Sequence, residues 1–425
     1  MLDEFFALTA HGTSVRREIV AGATTFLTLA YIMFVNPKIL GAAGLDQGAV
    51  FVATCVASAL TTALMGLYAR LPVALAPGMG LNAYFAFTVV PALKGDWRLA
   101  LGCVFLSGIL FVALSLTPAR EWLINAIPKS LKLAIAAGIG LFLALIGFES
   151  AGLVAADPVT LLREGMLTDP KVLIAAAAFV LMFALAARGA VGAVLIGIVV
   201  ATALGEAWPS GAVSLPPPVA PTLLQMHFTG APAAAIATIV FTFLLIDVLD
   251  TSGTLTAVAH QAKLLDGEGR LPQARRALAV DALGTMLGAA LGTSPVTAYI
   301  ESATGIQAGG RTGLTALVVA ALFLLSLFFA PLAAAVPAYA TAPALIFVAA
   351  LMAKGLKDID WDDLTEAAPA LLTALAIPFT YSIAAGMGIG FISYVAIKIV
   401  SGRRREVNAA VAIIALAFAV KIALD

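Results

Sequence analysis

The feature that most constrains this chain is a succession of apolar runs of membrane-crossing length separated by short polar loops. They lie near 19–40, 48–68, 97–117, 131–148, 171–187 and 189–206 in the first half. The second half repeats the theme near 231–250, 276–293, 312–331, 341–356, 368–385 and 386–401. About 20 apolar residues are what an α-helix needs to cross a hydrocarbon core. Only 11% of the residues are charged and mean hydropathy is +1.04, whereas a soluble domain carries roughly a quarter charged residues. The implied fold class is an all-α polytopic membrane protein, with the lipid bilayer as its surroundings. A formal net charge of zero gives no reason to expect nucleic acid as a partner. Cys55 and Cys103 both sit in apolar runs and supply neither a disulfide framework nor metal-ligand spacing, and no metal or other cofactor is expected. The acidic start, Met1 to Phe6, has no apolar core before a small-residue cleavage site, so the first span is expected to anchor the chain.

Two further segments, 72–90 and 291–308, are short and broken by Gly and Pro just before an Ala-Tyr pair. Counting them gives 14 transmembrane segments. The apolar piece 408–424, after Arg403, Arg404 and Arg405, reads either as a fifteenth span or as an interfacial helix. Lys and Arg placement sets orientation. With the N-terminus inside, one set of loops carries Arg16, Arg17, Arg70, Arg120, Lys129, Lys132, Arg188, Lys263, Arg270, Arg275, Arg276, Arg311, Lys354, Lys357 and the three arginines at 403–405. The opposite set carries Lys38, Lys94, Arg98, Arg163 and Lys171. A cytoplasmic N-terminus follows.

The halves resemble each other. Phe26-Leu-Thr-Leu-Ala-Tyr aligns with Phe241-Thr-Phe-Leu-Leu-Ile, and Asn82-Ala-Tyr with Thr297-Ala-Tyr. Seven segments per half is an odd number, so the two copies insert in opposite orientation. The first inverted repeat is expected over 15–206 and the second over 231–401, with 402–425 a basic stretch and C-terminal apolar segment. Inverted repeats with paired Gly/Pro-broken segments are a signature of secondary transporters, and the breaks point to a midplane binding site. Each break should place a half-helix N-terminus near the membrane centre, where free N–H groups favour electron-rich ligand atoms.

Three carboxylates stand in apolar surroundings: Asp247, Asp250 and Glu301. A carboxylate at the centre of a membrane helix costs about 2.5–3.5 kcal/mol on insertion scales, so a functional reading is the default. Asp247 and Asp250 are three apart at the end of the run beginning near Ala231, on nearly the same helical face. No Lys or Arg lies in these spans to pair with them, which suits groups that gain and lose a proton during transport. The bland alternative is a structural acid bonded to Thr251, Ser252, Thr254 or Ser302. Asn82, beside the first break, can donate and accept along an amide-like ring edge, or serve as interhelical glue. Phe26 offers an aromatic face among 23 phenylalanines. His11, His227 and His260 form no metal constellation.

Four stretches together resemble a known family: Phe26-Leu-Thr-Leu-Ala-Tyr-Ile-Met-Phe-Val-Asn-Pro-Lys38, Pro77-Gly-Met-Gly-Leu-Asn-Ala-Tyr-Phe85, Asp247-Val-Leu-Asp-Thr-Ser-Gly-Thr254 and Thr293-Ser-Pro-Val-Thr-Ala-Tyr-Ile-Glu-Ser302. They are similar to the AzgA-like purine permeases of the nucleobase–ascorbate transporter superfamily, over residues 15 to 400. The resemblance implies a uracil-permease-like fold: a 7+7 inverted repeat divided into a core domain (15–117 and 231–331) and a gate domain (131–206 and 341–401), the gate also supporting a homodimer. It implies that Glu301 hydrogen-bonds the base, with the backbone at Tyr299 and Ile300 nearby, and that Asn82 assists purine binding. It places Asp250 opposite the eighth-segment acid that contacts substrate in sister branches, while Asp247 is typical of the purine branch. Thr254 stands where those sisters carry another polar residue.

The expected function is therefore import of hypoxanthine, guanine or adenine by proton symport, with no enzymatic activity. Asp250 is the expected ligand-facing acid and Asp247 a support or proton relay, with Asp247, Asp250 and Glu301 sharing proton coupling. An anion transporter of the same fold, using the half-helix N-termini, is the alternative. Three acids beside the site would repel its substrate. An intramembrane aspartyl protease needs acids on two facing helices, whereas Asp247 and Asp250 share one.

Overall fold

The computed structural model describes residues 2–117, 127–205, 211, 213–262, 264 and 271–424. Of the residues named above, Met1, Arg120, Lys263 and Arg270 lie outside the described residues, as does Asp425. The helices are α1 Val15–Leu29, α2 Ile32–Ala42, α3 Gln47–Leu64, α4 Met79–Ala83, α5 Trp97–Ser115, α6 Lys129–Ser150, α7 Pro170–Ala187, α8 Ala193–Leu204, α9 Ala233–Ala262, α10 Ala274–Leu291, α11 Ser302–Gln307, α12 Gly313–Ser326, α13 Ala338–Ala353, α14 Leu364–Phe379, α15 Ile383–Val400 and α16 Ala409–Leu424. Four short strands interrupt them: β1 Leu75–Pro77, β2 Val154–Asp157, β3 Leu161–Glu164 and β4 Val296–Ala298.

The fold is the polytopic helical one expected, with seven segments in each half and a broken segment third in each. Among the described residues, nine helical stretches are long and apolar enough to cross a membrane, and four shorter apolar helices join them. Polar caps at loop ends start many spans. Asp46 accepts from Ala49 N–H at 2.7 Å, Asp96 from Leu99 N–H at 3.0 Å and Asp169 from Lys171 N–H at 2.8 Å, satisfying donors that a helix start leaves free. One boundary departs from expectation. The helix carrying Asp247 and Asp250 runs 30 residues to Ala262, so both acids lie inside it and not at its end. The run Thr251 to Thr256 stays helical although polar, with the Thr251 and Thr256 hydroxyls bonded within the protein.

The chain divides into two compact units, residues 1–117 with 168–344, and residues 118–167 with 345–425. In the first, α5 packs on α10, α12 lies against α1 and α3, and α7 pairs with α8. Close crossings there rely on glycine, as membrane helices do where backbones approach. A Cβ on Gly313 would stand 2.0 Å from the Gly66 carbonyl oxygen. In the second unit, α14 packs on α6 and α15, and α16 on α15. Lys398, fully buried, is held there by Glu366 and Glu406, each at 2.7 Å.

Candidate functional site

The two broken segments complete each other. β1 and β4 pair antiparallel in the register Leu75↔Ala298, Ala76↔Thr297 and Pro77↔Val296. Beyond the strands, Gly78 N–H donates to the Pro295 carbonyl at 3.0 Å and Tyr299 N–H to the Ala74 carbonyl at 2.9 Å. Extended backbone at membrane depth survives only when the protein satisfies its polar groups. Each repeat here satisfies the other's. Neighbouring hydroxyls cover what the strands leave over. Thr62 exchanges hydrogen bonds with the Leu75 N–H (2.9 Å) and carbonyl (3.0 Å), and Ser302 Oγ accepts from Ala74 N–H at 3.0 Å. Gly78 allows the close approach, since a Cβ there would lie 2.6 Å from Thr297 Cγ2.

The acids gather around this crossover in unequal settings. Asp247 is buried in the helix-packing seam, where Thr285 of α10 donates to its Oδ2 at 2.7 Å. Its Oδ1 has no hydrogen-bond partner among the described residues. Asp250, three residues and about 300° further round α9, is exposed and accepts no protein hydrogen bond among the described residues. The helix that carries it packs against α11 and β4. Glu301, half-buried at the start of α11, accepts at Oε1 from the Tyr31 hydroxyl at 2.8 Å. None of the three acids forms an ion pair among the described residues. Of the hydroxyls named as structural partners, Thr251 serves a different acid and Ser302 serves β1, while Ser252 Oγ has no hydrogen-bond partner among the described residues.

That different acid is Asp281 of α10, which the sequence reading passed over. It is fully buried, accepting from Thr251 Oγ1 at 2.8 Å and from Ala298 N–H of β4 at 2.9 Å. Thr251 and Thr297 hydroxyls stand 2.6 Å apart beside it. The signal was present, because Asp281 is a carboxylate inside the run 276–293 and obeys the rule applied to Asp247. Glu18 is a second omission. It is buried in the first turn of α1 and accepts from Arg311 N–H (2.9 Å), Thr315 N–H (3.1 Å) and Thr315 Oγ1 (2.6 Å), capping α12.

Asn82 is buried beside the crossover, where the Ser294 hydroxyl donates to its amide oxygen. Its Nδ2 has no partner among the described residues. Asn36 of α2 donates to Thr54 and Thr293, both at 2.8 Å. Adjacent residues 293 and 294 are thus read by two asparagines of the first half. The Tyr299 phenol is buried and donates to the Pro77 carbonyl, so its ring is committed to the crossover. Ile300 is 43% exposed, beside Glu301. The Phe26 ring stands edge-on to Phe323 at 5.4 Å, an aromatic contact within the packing of the first unit. The site therefore brings together Asp250, Glu301 and Ile300 as accessible groups, with Asp247, Asn82 and Tyr299 buried behind them.

Known proteins similar to this chain bear on what such a site serves. The model of a family described as "Permease family" matches residues 16–389. The chain is 47% identical to the adenine permease AdeP of Escherichia coli, over 99% of this chain and 96% of that one. It is 44% identical to the guanine/hypoxanthine permease PbuO of Bacillus subtilis, over 98% and 99%. Among solved structures, the transmembrane domain of the cyanobacterial bicarbonate transporter BicA matches with a TM-score of 0.66 at 16% identity, over 88% of this chain and 97% of that one. That likeness concerns the fold alone.

Proposed function

The chain belongs to the Permease family and, within the nucleobase–ascorbate transporter superfamily, to its purine permeases, and on that premise we propose that it imports purine nucleobases by proton symport. It is a multi-pass membrane protein and a transporter, not an enzyme. In this reading its N-terminus is cytoplasmic, it works in the cell membrane, and the gate domain also supports a homodimer.

One observation carries the proposal. Asp250 of α9 and Glu301 at the start of α11, the one exposed and the other half-buried, are carboxylates without cationic partners among the described residues, on helices that pack together. A purine base is neutral and presents donors and acceptors along its edge. A carboxylate accepts when ionised and donates when protonated, so the same two groups can hold the base and carry the proton. Asp250 and Glu301 are the ligand-facing acids in this reading. Asp247, bonded to Thr285, supports the site or relays the proton, and the backbone at Tyr299 and Ile300 lines it. Asn82 keeps the first broken segment in register through Ser294. Phe26, edge-on to Phe323, offers its ring face to the base. Rocking of the core domain against the gate would then expose the site to each side in turn.

The test is uptake of radiolabelled hypoxanthine by cells expressing the protein, competed by a panel of purines and pyrimidines at two pH values. Purines should compete, pyrimidines should not, and a protonophore should abolish accumulation. Uptake indifferent to the pH gradient would remove proton coupling. Uptake competed equally by pyrimidines would remove the purine assignment.

A further inference from the structure

The half-helix that begins at Glu301 is docked along a stripe of the first span. Glu18, Ala21, Thr25 and Thr28 recur at spacings of three and four, which puts them on one face of α1. At the far end of α11, Glu18 holds the backbone of Arg311 and Thr315. In the middle, Gly305 lets α11 lie on α1, since a Cβ there would meet Thr25 Oγ1 at 2.0 Å and the Ala21 carbonyl at 2.5 Å. Nearer the site, the Thr28 and Thr304 hydroxyls stand 3.0 Å apart, and Thr304 donates to the Glu301 carbonyl at 2.7 Å. The stripe ends at Tyr31, where α1 gives way to α2, and there the hydroxyl reaches Glu301 Oε1.

Tyr31 is 2% exposed, and Glu301 is the one partner of its hydroxyl among the described residues. A buried phenol needs a hydrogen-bond partner. Tyr299, buried likewise, finds one in the Pro77 carbonyl. Tyr31 instead spends its donor on an acid of the substrate site. We propose that Tyr31 is a positioning residue for transport, fixing one oxygen of the Glu301 carboxylate so that Oε2 is presented to the base. The proposal rests on the reading of Glu301 as a substrate ligand. A glutamate has three side-chain torsions, and a carboxylate already anchored at one oxygen loses less freedom when the base binds.

The experiment compares uptake of radiolabelled hypoxanthine by wild type, Tyr31→Phe, Glu301→Gln and the double variant, each normalised to the protein present in the membrane. Loss of a hydrogen bond to a charged group that orders a ligand predicts a KM about tenfold higher for Tyr31→Phe with the maximal rate largely kept. In the Glu301→Gln background, Tyr31→Phe should add little, because the oriented group is already gone. A wild-type KM for Tyr31→Phe alongside a raised KM for Glu301→Gln overturns the proposal and leaves the role of Glu301 standing. A wild-type KM for Glu301→Gln overturns that role itself. Effects of the two changes that simply multiply also overturn the proposal, since they describe a tyrosine acting through the fold. Should Tyr31→Phe accumulate poorly, hypoxanthine binding to the purified fraction decides in the same way: wild-type affinity overturns, weakened affinity supports.

Discussion

Thr285 donates its hydroxyl to Asp247 Oδ2 at 2.7 Å, joining α10 to α9 behind the site. The neighbouring acid Asp250 has no such tether among the described residues. Charge-neutral substitution should therefore separate the two. Asp250→Asn is expected to raise the KM for purine uptake by about 10- to 100-fold, the range for losing a charged hydrogen-bond partner. Asp247→Asn keeps an acceptor for Thr285, so its KM should stay within about threefold while the pH dependence of uptake changes. Kinetics of uptake at several pH values check both, and a reversal of the two effects would exchange the roles.

Asp281 predicts a structural defect. Both its oxygens accept, one from Thr251 and one from Ala298 N–H. Alanine removes both acceptors and leaves the Ala298 N–H without its partner. We expect Asp281→Ala to cost about 1–3 kcal/mol through an unmade buried hydrogen bond, seen as a lower melting temperature in detergent and less protein in the membrane. Asp281→Ala melting with the wild type would show that β4 does not depend on this carboxylate.

Two glycines should behave oppositely. Gly305→Ala drives a methyl group into the Ala21 carbonyl and Thr25, and overpacking of this kind costs about 1–3 kcal/mol. Gly253, inside α9, has nothing within 4 Å of the corresponding position. Gly253→Ala should melt no lower than wild type, because alanine is the better helix former by about 0.5–1 kcal/mol. Equal melting of the two variants would contradict the packing of α11 on α1.

The second unit has its own pH signature at its loops. Thr365 and then Arg403 hold the Asp363 carboxyl down at about 2, and the Arg403 guanidinium stands 2.6 Å from it. A carboxyl depressed in the folded state stabilises fully above the unfolded value near 4, and that contribution is lost as pH falls toward 2. Melting of wild type and Arg403→Gln should differ at pH 6 and converge as the pH approaches 2.5. A gap independent of pH would mean that Arg403 acts by packing alone.

How legible the molecule was in its sequence depends on the kind of signal. Spans announced themselves by length and apolarity, and the breaks at Gly78 and Pro295 by residues that cannot continue a helix. The caps at Asp46, Asp96 and Asp169 mark helix starts that the span limits approximated to within a few residues. The crossover itself was not visible, because two three-residue strands carry no periodicity and their pairing is between backbones far apart in the chain. Asp281 is legible by the rule that singles out Asp247, since it too is a carboxylate inside an apolar run. Tyr31 is not legible, since nothing in the letters around it distinguishes a tyrosine bonded to an acid from one packed in a core.

The pairing of β1 with β4 also bears on how the protein is made. The hydrogen bond from Tyr299 to Pro77 spans 222 residues of chain. At a synthesis rate of about 5–20 residues per second, the backbone of β1 waits on the order of 10–40 s for its partner strand to emerge. During that time the first repeat sits in the membrane with polar backbone that only water, lipid headgroups or a helper protein can cover. The first half is thus an obligate intermediate, open at its centre until the second arrives.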